Sequence, residues 1–174
     1  RYAVEKARRQ VARLLGVEEE GILFASGGTE SDNLAIQGIA LARREQGRHL
    51  VTTAIEHPAV LGACDALADF GFETTPAEPD AQGVVPPESI AALLRPDTVL
   101  VSVMAANSET GVIQPVREIA EVCHAHGVLF HCDAIQAVGR IPFSPGELGI
   151  DMVSVSAHKI HGPKGVGALL VRPG

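Results

Sequence analysis

The segment DTVLVSVMAA, residues 97–106, is apolar at most of its positions. Neighbouring residues of a β-strand point to opposite faces of the sheet, so a strand that is apolar throughout is buried on both faces. Strands of this kind are typical of sheets that helices cover on either side. The segment therefore predicts a buried strand of an α/β protein.

Apolar and amphipathic segments alternate along the rest of the chain. Helical connections of about ten or more residues are typical of parallel strand pairing, so we expect an α/β fold with a mostly parallel sheet. The other strands are predicted at 21–26, 49–55, 128–134, 151–156 and 165–171, and the helices at 1–16, 27–47, 57–71, 86–95 and 116–127. No strand is predicted in the segment FETTPAEPD, residues 72–80. Thr29 with Asp32 approximates a helix capping box.

The composition sets limits on the class of protein. The chain has 174 residues, of which 46% are hydrophobic and 20% charged, so it can build a globular core. Its net charge of -7 argues against a nucleic-acid surface and an anionic membrane. No apolar run reaches the roughly 20 residues of a membrane span, and no signal peptide is evident. Three cysteines without framework spacing favour a reducing compartment, so we expect a cytoplasmic protein.

Five loops follow strands or open helices at one predicted edge of the sheet. Ligands of parallel sheets collect at the carboxyl ends of the strands, so these loops are the candidate site. They lie at residues 27–29, 56–57, 107–109, 133–136 and 156–159.

Three of these loops allow a structural as well as a functional interpretation. Gly27, Gly28 and Thr29 form either a tight connection or an anion site, because free N–H groups meet the helix dipole there. Asp133 is either a turn residue or a carboxylate that requires a cation or strong donors. His57 opens a helix and is either a turn residue or part of the site.

Lysine chemistry is the most specific feature of the loops. Lys159 follows a strand and is flanked by His158 and small residues, unlike a charge on a solvated face. Its amine is a candidate nucleophile toward an aldehyde. Lys164 lies in a glycine-rich turn, where a surface role is expected, so position favours Lys159.

A metal site in CHAHGVLFHC, residues 123–132, is the competing interpretation of the histidines. His124 and His126 are two residues apart on a helix, so they point about 200° apart and do not share one ion. Cys123 and Cys132 are expected to be small buried residues. We therefore predict no metal.

Together the loops supply an amine, a carboxylate, an anion-binding helix start, hydroxyls and an imidazole. This set matches the needs of pyridoxal 5'-phosphate, which requires a Schiff-base lysine, an acid facing the pyridine nitrogen and a phosphate cup.

The sequence resembles the class V pyridoxal-phosphate-dependent aminotransferase family of fold type I, and within it most closely the cysteine desulfurases. The resemblance runs along the whole chain in SGGTESDNLAI (26–36), EHPAV (56–60), NSETGVIQP (107–115), HCDAIQAVG (131–139) and SAHKIHGPKGVGALLV (156–171). It implies a three-layer α/β/α large domain at 1–174. Because the chain begins with Arg and stops just after a strand, we expect a fragment without the C-terminal small domain.

The resemblance also implies a role for each matching residue. Lys159 would hold the cofactor covalently, and Asp133 would pair with its pyridine nitrogen. Gln136 would bind the phenolic oxygen, and His57 would stack on the ring and assist proton transfer. The phosphate would be held by Gly28, Thr29, Ser156 and His158.

One position departs from the desulfurase pattern. Desulfurases usually have Asn-Asn-Glu where this chain has Asn107, Ser108 and Glu109, and the second Asn helps to bind the cofactor. Asn107 and Ser108 remain cofactor-binding candidates, with a weaker contact from Ser108.

The implied activity converts L-cysteine to L-alanine and passes sulfur, as an enzyme persulfide, to iron–sulfur cluster or thiolation pathways. The resemblance further implies a homodimer and a sulfur-acceptor protein. The persulfide cysteine and the arginine that binds the substrate carboxylate would lie downstream, and Cys64, Cys123 and Cys132 match neither. A selenocysteine lyase, an aminotransferase or an inactive scaffold remain alternatives.

Overall fold

The computed structural model describes residues 2–172, so Arg1, at the start of the first predicted helix, lies outside the described residues together with Pro173 and Gly174. The helices are α1 (Tyr2–Leu15), α2 (Gly28–Ala42), α3 (Pro58–Ala66), α4 (Pro87–Leu93), α5 (Val116–Ala125) and α6 (Pro145–Leu148). The strands are β1 (Ile22–Ala25), β2 (His49–Thr53), β3 (Glu73–Ala77), β4 (Thr98–Met104), β5 (Leu129–Asp133), β6 (Met152–Ser156) and β7 (Gly167–Val171).

The seven strands form one sheet in the order β1-β7-β6-β5-β4-β2-β3. Strand β7 runs antiparallel to both of its neighbours, β1 and β6. The pairs β2–β3, β2–β4, β4–β5 and β5–β6 are parallel. The predicted mostly parallel, mixed sheet is therefore confirmed, and the carboxyl ends of all strands except β7 lie at one edge.

Two apolar cores cover the two faces of the sheet. One contains residues of α2 and α3, including Ile36 and Val60. The other contains residues of α1, α4 and α5, including Ile90 and Ile119. Helices thus lie on both faces, as the predicted three-layer α/β/α fold requires. Strand β4 is buried along its whole length, which confirms the interpretation of residues 97–106.

The structure differs from the sequence predictions at the edge strand and in one helix start. Strand β3 lies in the unassigned segment 72–80, and its Pro76 is tolerated because β3 is the last strand of the sheet. The predicted capping box is wrong. Gly27 is the N-cap of α2, and Thr29 and Asp32 lie inside the helix. The side chain that stabilises this helix start belongs to Glu30, whose carboxylate accepts a hydrogen bond from the Ser26 amide at 2.6 Å.

Within residues 2–172, no helix is long and apolar enough to cross a membrane.

Candidate active site

A cavity of about 580 Å³ opens at the edge of the sheet where the carboxyl ends of the parallel strands meet. Its volume is in the range of about 300–1,000 Å³ that is typical of small-molecule sites. All ten predicted site residues line it: Gly28, Thr29, His57, Asn107, Ser108, Asp133, Gln136, Ser156, His158 and Lys159. The structure thus brings the five loops together, as expected for a parallel sheet.

The two candidate lysines occupy different places. Lys159 is half-buried in a short 3₁₀ helix (Ala157–Ile160) that directly follows β6, and it lines the cavity. Lys164 is exposed in the turn before β7 and does not line the cavity. It lines an adjoining, more open depression that shares Gly28, Thr29 and His158 with the cavity. The predicted preference for Lys159 therefore agrees with its position at the carboxyl edge.

Asp133 is the last residue of β5, and its side chain is buried at the floor of the cavity. Its Oδ1 accepts a hydrogen bond from the Ile135 amide at 2.9 Å. Burial raises the pKa of Asp133, while the Ile135 bond and the nearby His57 and Lys159 act in the opposite direction. A buried carboxylate of this kind requires a cationic partner, as a protonated ring nitrogen would be.

The N-terminus of α2 forms a second wall of the cavity. A Cβ placed on Gly28 would come within 2.1 Å of Ile135 Cδ1, so only glycine leaves this turn and the Ile135 side chain in place. Backbone N–H groups at the start of a helix are free to bind an anion, and Gly28 and Thr29 both line the cavity.

Gly28→Ala is therefore expected to destabilise the protein by about 0.5–1.5 kcal/mol, the cost of turning the Ile135 side chain to an unfavourable rotamer toward the open cavity. Urea unfolding measures this change. Gly38→Ala in the same helix is the matched control, because its Cβ would meet no atom within 4 Å. Since Ala is favoured over Gly in a helix interior, this control should gain up to about 1 kcal/mol. Equal free energies of unfolding for Gly28→Ala and wild type would contradict the packing argument.

Ser156 and His158 complete the side of the cavity that adjoins the α2 N-terminus. The Ser156 hydroxyl and His158 Nδ1 are 2.8 Å apart and hydrogen-bonded. Ser156 is buried at the end of β6, whereas the His158 ring is exposed at the rim. A hydroxyl, an imidazole and a helix start on one wall suit a phosphate group.

Hydrogen bonds also orient the two residues predicted to contact the cofactor ring. His57 is the N-cap of α3, and its Nδ1 accepts from the Ala59 amide at 3.1 Å. The Gln136 Oε1 accepts from Arg140 at 2.8 Å, which leaves the Gln136 amide nitrogen available as a donor. Arg140 also donates to the Lys159 carbonyl at 3.1 Å and so links the two loops.

The side chains of Asn107 and Ser108 differ in their hydrogen bonds and exposure. The Asn107 side chain accepts from the amides of Glu109 and Thr110 and donates to the Ile55 carbonyl at 3.1 Å. It therefore holds its own loop against the loop after β2. Ser108 is exposed on the cavity wall, where its short hydroxyl is free to contact a ligand.

Sequence reasoning missed three residues of the site: the buried lining carboxyls Asp32 and Glu56, and Arg140. Glu56 lay in a candidate loop without receiving a role, and Asp32 was assigned to a cap. The tertiary contacts of Arg140 left no pattern in the sequence.

The histidines near Cys123 lie outside this cavity. His124 Nε2 contacts the Asp151 carboxylate at 3.1 Å, and His126 Nδ1 lies 2.8 Å from the Val122 carbonyl. Within residues 2–172, no group of three or more His, Cys, Asp or Glu residues is arranged to hold a metal ion.

Comparison with known proteins agrees with this geometry. A sequence model of the family described as Aminotransferase class-V matches residues 1–174. Cysteine desulfurase IscS of Anaeromyxobacter dehalogenans (strain 2CP-C) is 52% identical over 170 residues, which cover 98% of this chain and 42% of that relative.

Solved structures give the same result. The structure described as SspA in complex with cysteine matches with a TM-score of 0.94 and 40% identity, covering 98% of this chain and 49% of that one. A NifS-like protein also matches with a TM-score of 0.94, at 44% identity, covering 98% of this chain and 47% of that one. The chain thus spans less than half the length of these relatives. It belongs to the aminotransferase class-V family.

Proposed function

We propose that this chain is the cofactor-binding large domain of a pyridoxal-phosphate-dependent cysteine desulfurase. The observation that carries the proposal is the convergence of Lys159, Asp133 and the α2 N-terminus on one cavity. The 52% identity to a cysteine desulfurase and the likeness to a solved structure in complex with cysteine support L-cysteine as the substrate.

The residues present fit pyridoxal 5'-phosphate. The Gly28 turn, Thr29, Ser156 and His158 would hold its phosphate, and Asp133 would face its ring nitrogen. Gln136 has a free amide donor for the phenolic oxygen, since its own carbonyl is occupied by Arg140. Lys159 would attach the cofactor through Nζ. His57 lies at the cavity rim with its Nδ1 bonded to the backbone, which fixes the ring for stacking.

The cofactor, when bound, supplies an aldehyde that links to amines and a protonated ring that accepts electrons from the substrate Cα. The Lys159 amine, released from the cofactor, would take up and return the Cα proton. Asp133 would keep the ring nitrogen protonated through its charge. His57, which lines the same cavity, would exchange protons with the substrate.

The sulfur-accepting thiol of the proposed reaction is not found in this cavity. Cys64, Cys123 and Cys132 are all buried, and none of them lines the cavity. Burial raises the pKa of Cys64 and of Cys123 to about 12 and that of Cys132 well above its usual range, so none supplies a thiolate. We therefore assign the persulfide to a thiol outside residues 2–172. A homodimer, a sulfur-acceptor protein and a cytoplasmic location belong to the same proposal.

The test uses the enzyme that contains this chain together with the segment carrying the persulfide thiol. It is incubated with pyridoxal phosphate and L-cysteine, with and without an added thiol such as dithiothreitol. A visible band near roughly 410–420 nm is expected from cofactor attachment to lysine. Release of alanine and sulfide in equal amounts would identify a desulfurase. Formation of 3-mercaptopyruvate together with a new amino acid, when a 2-oxo acid is added as amino-group acceptor, would identify an aminotransferase instead. A colourless folded protein would remove the cofactor assignment.

Ser108→Asn is expected to strengthen cofactor binding, because it restores an amide donor on the cavity wall. One added hydrogen bond contributes about 1 kcal/mol, or roughly fivefold in Kd. Fluorescence titration with pyridoxal phosphate measures the change, and Ser108→Ala is the control that should bind no more tightly than wild type. A higher Kd for Ser108→Asn than for wild type would show that the Ser108 hydroxyl makes the better contact with the cofactor.

A further inference from the structure

Three carboxyl groups meet at the buried wall of the cavity. Asp32 comes from α2, Glu56 from the loop after β2, and Asp133 from the end of β5. Their exposed fractions are 0%, 6% and 6%, so all three side chains are withdrawn from bulk water. Three negative charges in such a place would be strongly unfavourable without matching cations.

The hydrogen bonds of the three groups are unequal. Glu56 Oε1 accepts from the Thr53 hydroxyl at 2.7 Å and from the Met104 amide at 2.9 Å. Asp133 Oδ1 accepts from the Ile135 amide at 2.9 Å. Among residues 2–172, neither oxygen of Asp32 has a hydrogen-bond partner, although both are fully buried. Asp32 is therefore the group of the three least suited to carry a charge.

In the part of the chain that the structure describes, no cation lies beside Asp32 to compensate its charge. His131, in β5, is its nearest basic group, with Nε2 at 3.7 Å from Asp32 Oδ1. The two ring nitrogens of His131 bond instead to the hydroxyls of Ser102 and Ser154, at 2.8 and 2.9 Å. Burial lowers the pKa of His131 to about 3, so this ring is neutral. The other titratable neighbours of Asp32 are Asp133, Glu56 and the buried thiol of Cys132.

The cationic group of the cavity, the Lys159 amine, acts on Asp133 instead. Its charge favours the charged form of the Asp133 carboxyl. Burial, together with the charges of Asp133 and Glu56, raises the pKa of Asp32 to about 8, and the nearby Ser154 hydroxyl opposes this rise only in part. Burial likewise raises the pKa of Glu56 to about 8, against the two hydrogen bonds that it accepts. Burial favours the neutral form of all three carboxyls. Only for Asp133 does a neighbouring cation, Lys159, oppose this effect.

We propose that Asp32 stays a neutral carboxylic acid at neutral pH, so that the buried wall presents Asp133, and not Asp32, as the carboxylate that faces the ring nitrogen of the cofactor. The second half of this inference rests on the proposed function. A charged Asp32 would add a second negative group beside Asp133, compete for the same ring proton and cost the desolvation of an unpaired ion.

The first test is the pH dependence of stability in the full chain without cofactor. A carboxyl that is protonated in the folded state up to about pH 8 but ionised in the unfolded state above about pH 4 makes stability fall as pH rises between these values. Asp32→Asn replaces the neutral acid by a neutral amide of the same shape and removes this loss. The melting temperature of Asp32→Asn relative to wild type is therefore expected to rise steadily from about pH 5 to about pH 8 and then level off.

Two further variants keep this test decisive. The melting temperature of Glu56→Gln should likewise rise relative to that of wild type as the pH increases, because burial raises the pKa of Glu56 as it raises that of Asp32. Asp69 is exposed in the 3₁₀ helix Leu67–Phe70, which follows α3. The melting temperature of Asp69→Asn should therefore differ from that of wild type by the same amount at every pH. A difference in melting temperature between Asp32→Asn and wild type that stays constant from pH 5 to pH 8 would overturn the proposal. Failure of Asp32→Asn to fold would also overturn it, because a site that holds a neutral acid must tolerate a neutral amide of the same shape.

The second test measures the Kd for pyridoxal phosphate at pH 7. Asp32→Asn is expected to stay within about threefold of wild type, whereas loss of a charge acting on the cofactor would weaken binding more than about tenfold. That larger loss, in a folded variant, would also overturn the proposal. If wild type binds no pyridoxal phosphate at all, the proposed function fails, and the melting curves still decide whether Asp32 holds a proton.

Discussion

Lys159→Ala is expected to abolish covalent retention of pyridoxal phosphate and to reduce turnover by at least about 10²–10⁴-fold, the range for losing a positioned acid–base group. Lys159 alone of the two lysines in this segment lines the main cavity. Dialysis followed by an absorbance spectrum measures retention. Release of alanine from L-cysteine measures turnover.

Lys164→Ala is the matched control for this variant. It removes the same charge from the same loop, yet from the exposed turn before β7. It should retain the bound cofactor and most of its turnover. Loss of the visible band in Lys164→Ala but not in Lys159→Ala would exchange the assignments of the two lysines.

Asp133→Asn is expected to weaken binding of pyridoxal phosphate by roughly 10²–10⁴-fold. Removing one partner of a buried ion pair costs about 3–5 kcal/mol, because the other charge stays buried without compensation. The asparagine keeps the size of the side chain and can still accept the Ile135 hydrogen bond, so folding should survive. Titration of the apoprotein with the cofactor gives the Kd, and circular dichroism checks the fold.

The contrast with Asp32→Asn makes this prediction specific. Both variants exchange a buried carboxyl of the same cavity for an amide, and both carboxyl pKa values are raised by burial. Only Asp133 has a cationic neighbour, Lys159, that favours its charge, so only Asp133→Asn should impair cofactor binding. Equal losses in the two variants would mean that the cofactor senses the total charge of the wall and not one carboxylate.

Much of the fold could be predicted because the strands β2, β4 and β6 are buried on both faces. Strand β4 is continuous in apolar residues, and helices of suitable length separate it from β2 and β5. Edge strand β3 could not be found in this way. It contains Pro76, which is unfavourable inside a sheet, and only its place at the end of the sheet makes the residue acceptable. Helix α6 is a single turn and leaves almost no periodic pattern.

The site residues were predictable where chemistry and position coincide. Lys159, Asp133 and the Gly28 turn each follow or open an element at the carboxyl edge, which a strand-by-strand interpretation of the sequence already gives. Asp32 was not predictable, because a carboxylate in the first turns of a helix usually caps the helix or faces solvent. Its burial arises from packing of α2 against β5 and β6, which is a tertiary property.

Arg140 illustrates the same limit. Its guanidinium donates to the Gln136 side chain, four residues away, and to the Lys159 carbonyl, 19 residues away. No local pattern encodes the second contact. The link matters because it fixes the Gln136 amide with its donor free. Long-range contacts of this type set the orientation of site residues that the sequence only identifies.

The most direct test of the central claim is borohydride reduction of the full chain after incubation with pyridoxal phosphate, followed by peptide mass spectrometry. Reduction makes the bond between the cofactor and a lysine permanent, so the modified residue can be identified. The geometry predicts one phosphopyridoxyl adduct, on the peptide that contains Lys159. A folded protein without an adduct, or one modified at Lys164 or Lys6 in place of Lys159, would contradict the assignment of this cavity.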